Sequence, residues 1–265
     1  MWSLKEINKA LNCKISIKKN FIFNDISIDS RTIYKGNLFV PIKGKNYDGH
    51  NFINEALKRG ALASLINEKS LNSFKNKERL IPVKNTNESL TKLAIFSRKR
   101  TKNNILICIT GSSGKTTLKE WLKKILKTKF KTHANYGNYN NEIGMPLTLA
   151  RMPKETEISI IEIGMNKPGE IRNLVKIARP DIAIITNIGN AHIGNFKSKK
   201  YIAIEKSRIF DFLSKKNIAI LPRDDQYFNF LKQAVIKKTS NIYSFGHSHE
   251  SDFKILTNEN NLCNF

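Results

Sequence analysis

Residues 105–117 read Ile-Leu-Ile-Cys-Ile-Thr-Gly-Ser-Ser-Gly-Lys-Thr-Thr. The first six form a nearly unbroken apolar run, as expected for a strand covered on both faces in a parallel sheet. Small polar residues follow from Gly111 to Gly114, and then a helix over about 115–128. A strand, a glycine-bearing turn and a helix start make a cradle for phosphate. The glycines let backbone N–H groups face the anion, and the helix N-terminus adds partial positive charge. Lys115 is placed to reach the β- and γ-phosphates, and the Thr116 hydroxyl to hold Mg²⁺. The full G-x4-G-K-[ST] pattern is not met. Ile109 stands where the first glycine belongs, and Gly111 precedes Gly114 by only three positions. The strand–turn–helix setting carries the reading.

Downstream, the same rhythm repeats. Apolar runs at 158–163, 182–187 and 218–222 predict buried strands, with helices at 169–178, 201–214 and 225–237. Alternating strands and helices imply a parallel sheet with right-handed crossovers. Ligands of such sheets gather beyond the carboxyl ends of the strands. Glu162 ends one strand there, either as a metal-binding carboxylate or as a solvated terminus. Thr186, Asn187, Asn190 and His192 follow the next, and His192 is either a ligand or an ordinary loop histidine. Both strands are expected to flank the strand at 105–110. By spacing alone, Lys206 in the helix IAIEKSRIF reads as a surface lysine.

Residues 1–83 form a smaller α/β unit with strands near 26–31, 37–44 and 61–66 and a helix from Phe52 to Gly60. Leu4, Ile7 and Leu11 fit one face of a further helix. A helix at 88–100 and the polar break TKNN place a linking boundary over 84–104. Residues 105–265 form the second, central domain.

Lys+Arg 46 against Asp+Glu 22 gives +24. That charge excludes an acidic protein and admits anionic partners. The lysines are scattered and no arginine-rich arm appears, so a solvated basic surface is the simpler reading and no nucleic-acid partner is expected. Cys13, Cys108 and Cys263 form no CxxC pair, so neither a zinc site nor a disulfide framework is indicated. Neither a signal peptide nor a membrane-spanning run is present, so no stable membrane insertion is expected. A cytoplasmic monomer is the expectation.

The ordered motifs ITGSSGKTTLKE, GNYNNEIGMPLTL, EIGMNKPGEI, TNIGNAHIGNF and the lysine helix resemble the Mur ligases. These are ATP-dependent amide-bond ligases of peptidoglycan synthesis. The Ser-Ser-Gly-Lys-Thr-Thr loop and Asn-Tyr-Asn-Asn stretch are most similar to the type that joins D-alanyl-D-alanine to UDP-N-acetylmuramoyl-tripeptide. The N-terminal DSR (29–31) and LFVPIKG…YDGHNF stretches resemble the UDP-binding domain of that group.

The resemblance implies a small N-terminal α/β UDP-binding domain. A P-loop NTPase-like central domain follows, its mostly parallel sheet flanked by helices. It implies that Gly111, Ser112, Ser113, Gly114, Lys115, Thr116 and Thr117 bind the ATP phosphates. Thr116, Glu162 and His192 would hold two Mg²⁺. Lys206 would be carbamoylated by CO₂, and Lys115, His192 and Lys206 would serve the reaction. Ser30 and Arg31 would lie at the uridine end of the substrate. Asn138, Asn140 and Asn141 would approach the muramoyl-peptide or the γ-phosphate.

Two motifs depart from the family pattern: Lys206-Ser207-Arg208 stands for Lys-Gly-Glu, and Pro222-Arg223-Asp224-Asp225 for Asn-x-Asp-Asp. The family also has a third, C-terminal domain, and the chain is expected to lack it. A binding-only form, or a sister ligase adding another amino acid, therefore stays open.

Overall fold

The computed structural model describes residues 1–13, 21–137, 139–191, 193–257 and 263–264. The chain packs as two units, Met1–Lys102 with Pro146–Lys154, and Asn103–Met145 with Glu155–Phe265. Residues 146–154 thus sit with the first unit rather than with the rest of 105–265.

In the first unit, β1 (Trp2–Ser3) leads into α1 (Leu4–Leu11) and pairs antiparallel with β2 (Ile22–Phe23). Ser3 and Glu6 close a capping box: the Ser3 amide donates to Glu6 at 2.9 Å, and the Glu6 amide to the Ser3 hydroxyl at 3.3 Å. The helix buries Leu4, Ile7 and Leu11, the face expected from spacing. The Trp2 indole N–H donates to the Ala150 carbonyl at 2.8 Å, tying the chain start to the returning segment.

Four strands, β3 (Asp25–Ser27), β4 (Asn37–Phe39), β5 (Ala63–Asn67) and β6 (Leu80–Val83), lie parallel in that order. The short helix α2 (Ile53–Lys58) connects β4 to β5, and Phe39, Ile53, Ala56 and Ile66 fill the core there. Asn85 caps α3 (Thr86–Arg100), accepting from the Glu88 amide at 3.1 Å. The strand expected over 26–31 is only the three residues Asp25–Ser27, because the Asp29 side chain accepts from the Arg31 amide and turns the chain into a 3-10 turn.

The second unit holds β7 (Ile105–Thr110), α4 (Lys115–Leu126), β8 (Thr132–Ala134), α5 (Gly144–Arg151, shared with the returning segment) and β9 (Ile158–Glu162). They are followed by α6 (Glu170–Ala178), β10 (Ile182–Ile185), α7 (Lys199–Ser207), β11 (Ile218–Pro222), α8 (Phe228–Ile236), β12 (Ile242–Gly246) and β13 (Phe253–Lys254). The seven strands are ordered β13-β12-β11-β10-β7-β9-β8, and every pairing is parallel. A two-residue antiparallel pair, β14 (Leu256–Thr257) and β15 (Cys263–Asn264), follows. β7 lies inside the sheet, and its neighbours are β9 and β10, the two strands expected to flank it. On one face Ile107, Ile109, Ile158, Ile160 and Ile184 pack against Leu118, Leu122 and Leu126 of α4.

The expected helix over 201–214 stops at Ser207 and continues as a 3-10 turn, Arg208–Phe210. Among the described residues, no helix is long and apolar enough to cross a membrane.

Candidate active site

The turn after β7 is shaped by two glycines. Gly111 has φ +156° and Gly114 φ +76°. A Cβ at Gly111 would collide with the Thr186 hydroxyl. At Gly114 a Cβ would meet open space, so there the backbone angle alone demands glycine.

Residues after β10 hold the turn from the side. Asn187 Oδ1 accepts from the amides of Ser112 and Ser113 at 3.1 and 3.0 Å, and its Nδ2 donates to the Ser113 hydroxyl at 2.7 Å. The Thr186 hydroxyl donates to the Ser113 carbonyl at 2.6 Å. The Ser112 hydroxyl accepts from the Gly189 amide at 2.7 Å. Ser112 and Ser113 therefore shape the loop. Gly114 starts α4 with no side-chain cap, and Thr117 is exposed on its first turn. The N–H groups of that turn are the ones that can meet an anion.

Two lysines converge beside the turn. Lys115 Nζ donates to the Gly111 carbonyl at 2.9 Å, and Lys206 Nζ donates to the same oxygen at 2.8 Å. Lys206 is 2% exposed, which corrects the surface reading from its spacing. The reason is that α7 turns Ile202, Ala203, Glu205 and Lys206 inward together. Burial, with help from the nearby Lys115 charge, lowers the Lys206 pKa to about 7. Burial also lowers that of Lys115, against the pull of Glu162.

Opposite the lysines, Glu162 ends β9, buried and directed by two contacts. Thr116 Oγ1 donates to its Oε2 at 2.7 Å, and Asn140 Nδ2 donates to its Oε1 at 2.9 Å. Gly111, Lys115, Asn140, Asn141, Glu162, Glu170 and Lys206 line one cleft. One carboxylate and one hydroxyl at hydrogen-bond distance are hard oxygen donors. That set fits Mg²⁺, which takes few protein ligands and fills its shell with water and phosphate oxygens.

Asn141 lines the cleft, but its Oδ1 accepts from the Ile143 and Gly144 amides at 3.1 and 2.8 Å and so starts α5. Asn138 and His192 lie outside the described residues. Ser30 and Arg31 belong to the first unit. Ser30 is buried with its hydroxyl 3.5 Å from Glu55, and Arg31 is exposed and paired with Asp29 at 2.8 Å.

The departing stretch Asp224-Asp225 is engaged with backbone: Asp225 accepts from the Ile188 amide at 2.7 Å, and Asp224 from those of His247 and Ser248 at 2.6 and 3.0 Å. Sequence reasoning gave no role to Lys119 and Asn135, both fully buried. Lys119 adjoins the sheet-facing stripe of Leu118, Leu122 and Leu126, and a lysine there signals a polar partner inside.

The profile of the Mur ligase middle domain matches residues 109–263, and that described as the Mur ligase family, catalytic domain, matches residues 23–98. The chain belongs to the Mur ligase family. Among curated Mur ligases, the UDP-N-acetylmuramoyl-tripeptide–D-alanyl-D-alanine ligase of Rickettsia prowazekii (strain Madrid E) is 39% identical over 258 residues. That match covers 97% of this chain and 56% of the relative.

Solved Mur ligases agree in fold. MurF from Acinetobacter baumannii superposes with a TM-score of 0.82 at 30% identity, covering 93% of this chain and 54% of that one. MurF from Thermotoga maritima, solved in complex with ADP, gives 0.71 at 34% identity, covering 84% and 50%. The chain spans about half the length of the curated Mur ligases it matches. The expected α/β class, with a helix-flanked parallel sheet, is the one observed.

Proposed function

We propose that this chain carries the nucleotide- and UDP-substrate-binding parts of an ATP-dependent ligase. That ligase joins D-alanyl-D-alanine to UDP-N-acetylmuramoyl-tripeptide for peptidoglycan synthesis. The observation that carries the reading is the meeting of Thr116 and Glu162, at 2.7 Å, beside the glycine turn and its two lysines.

The reaction needs an electropositive, positioned site. A carboxylate of the muramoyl-peptide attacks the γ-phosphorus of ATP, the bond to the β-phosphate oxygen breaks, and ADP leaves an acyl phosphate. The D-alanyl-D-alanine amine then adds to the acyl carbon. Phosphate and a proton depart, and an amide remains. No protein nucleophile is required. The first step brings anions together, so stabilisation and alignment dominate.

The α4 N-terminus and Lys115 bind the β- and γ-phosphates. Thr116 and Glu162 would hold Mg²⁺, with His192 beside a second ion. Bound Mg²⁺ supplies charge neutralisation at the phosphate oxygens. Asn140 keeps the Glu162 carboxylate turned toward the cleft. Lys206, its pKa lowered to about 7, has a substantial share of free amine near neutral pH, the form that adds to CO₂. The nitrogen bonds the carbon and loses a proton, leaving an N-carboxylate as a further oxygen donor. Ser30 and Arg31 would hold the uridine end, and Asn138 and Asn141 would serve the muramoyl-peptide part. In this reading the protein works as a cytoplasmic monomer.

The test is calorimetry with ATP and Mg²⁺, followed by a coupled phosphate assay with both co-substrates. ATP uptake and phosphate release that require UDP-N-acetylmuramoyl-tripeptide and D-alanyl-D-alanine support the proposal. No ATP uptake in the presence of magnesium overturns it.

A further inference from the structure

Lys119 lies on α4, three residues after Thr116 and one turn after Lys115, and it has no solvent exposure. A buried ammonium group is tolerated only when its donors are met. Here three acceptors surround it: the carbonyls of Asn135 and Gly137 at 2.9 and 3.2 Å and Glu120 Oε1 at 3.1 Å. Those acceptors match the three N–H bonds of a lysine head. Two of them belong to the loop that follows β8.

That loop in turn grips Glu162. Asn135, also fully buried, accepts from the Glu162 amide at 2.9 Å and donates to the Glu162 carbonyl at 3.1 Å. The Asn135 Nδ2 further donates to the Tyr139 carbonyl at 3.1 Å, closing the loop on itself. Asn140 then reaches the Glu162 carboxylate, and its own carbonyl accepts from the Gly164 amide at 3.0 Å. The path is a closed ring: Thr116 to Glu162, Glu162 to Asn135 and Asn140, the loop to Lys119, and Lys119 back to Thr116 along one helical turn.

We infer that Lys119 is a positioning residue, which fixes the separation of α4 from Asn135 and Gly137 and so holds Thr116, Glu162 and Asn140 in register for a divalent cation. An apolar side chain at this position would leave the carbonyl of buried Asn135 unpaired in the interior and would release the exposed Gly137 carbonyl to water, and the loop would move to find other donors. Arginine has the charge but not the compact three-donor head. The inference rests on the magnesium site of the proposed function.

The test uses the whole chain and two readouts. Mg²⁺ is titrated at fixed ADP by calorimetry for wild type, Lys119→Met, Lys119→Arg and Asn135→Ala. Amide hydrogen exchange is followed without metal at Glu162 and Tyr139. Lys119→Met and Asn135→Ala are expected to raise the half-saturating Mg²⁺ about tenfold or more, the usual effect of losing a support behind a metal ligand. Both should speed exchange at those two amides, and Lys119→Arg should fall between Met and wild type. Leu93→Ala, in the core of the first unit, should lower stability while keeping the wild-type Mg²⁺ dependence.

Unchanged Mg²⁺ dependence in a folded Lys119→Met, with wild type binding normally, overturns the role of Lys119 alone. If Lys119→Met does not fold, Asn135→Ala decides by the same criteria. Wild type that takes up no Mg·ADP overturns the magnesium site itself, and with it this inference.

Discussion

Lys115 and Lys206 share one acceptor: both ammonium groups donate to the Gly111 carbonyl oxygen, at 2.9 and 2.8 Å. Two cations on a single neutral oxygen repel, and the more deeply buried one yields its proton more readily. Burial first, then Lys115, brings the Lys206 pKa from the usual 10.5 to about 7. Between those values the unfolded chain binds a proton that the folded chain does not, so stability rises with pH. Against Lys206→Met, wild-type unfolding free energy should climb by about 1.4 kcal/mol per pH unit from about pH 7 to about pH 10. Below pH 7 the two curves should run parallel. Urea denaturation across this range checks it, and parallel curves throughout would mean that Lys206 stays charged in the fold.

Removing the other lysine separates the two ligands. Lys115→Ala should weaken Mg·ATP binding roughly 10- to 100-fold, as expected for losing a charged hydrogen-bond donor. Binding of UDP-N-acetylmuramoyl-tripeptide should be nearly unchanged. Calorimetry with each ligand measures both, and equal loss of the two would refute the division of labour.

Gly111→Ala should abolish nucleotide uptake, since the new methyl group collides with the Thr186 hydroxyl in a backbone conformation that disfavours side chains. Adding Thr186→Ala should restore part of the stability lost, as read by thermal melting. No recovery would mean that the backbone angle dominates over the collision.

Acid should loosen the first unit through Glu6. Partial burial of this carboxylate pushes its pKa up, but bonds from Lys154 and Ser3 and the Arg100 charge outweigh that and bring it to about 2, from 4.5. The stabilisation is present above about pH 4.5 and is lost as pH falls toward 2. Glu6→Gln should cost about 2 kcal/mol at pH 7, a figure reduced for solvent screening. The difference from wild type should vanish near pH 2 in chemical denaturation.

What could be read from the sequence was what burial writes locally. β7, β9, β10 and β11 stand out because a central parallel strand is apolar nearly throughout. Thr116 was singled out by the glycine turn that opens a helix, and Glu162 by the rule that ligands gather beyond strand ends. β8, Thr132-His133-Ala134, carries no such signal, being three half-buried residues at the sheet edge. Lys206 was misplaced by spacing because α7 buries two adjacent ionisable side chains, Glu205 and Lys206, which no periodicity announces. Lys119 and Asn135 act through bonds to residues 16 and 27 positions away, across a loop without a repeating pattern. The return of 146–154 to the first unit was hidden because α5 is a single helix, with no break in pattern between Gly144 and Arg151.

The bond from Trp2 to Ala150 spans 148 residues. During synthesis, the first unit must therefore wait for its last piece until the ribosome has passed Ala150. At roughly 5–20 residues per second the delay is on the order of ten seconds. Through that interval the nascent N-terminal segment presents an unfinished apolar seam to its surroundings, and the glycine turn at 111–114 is translated before the unit preceding it is complete.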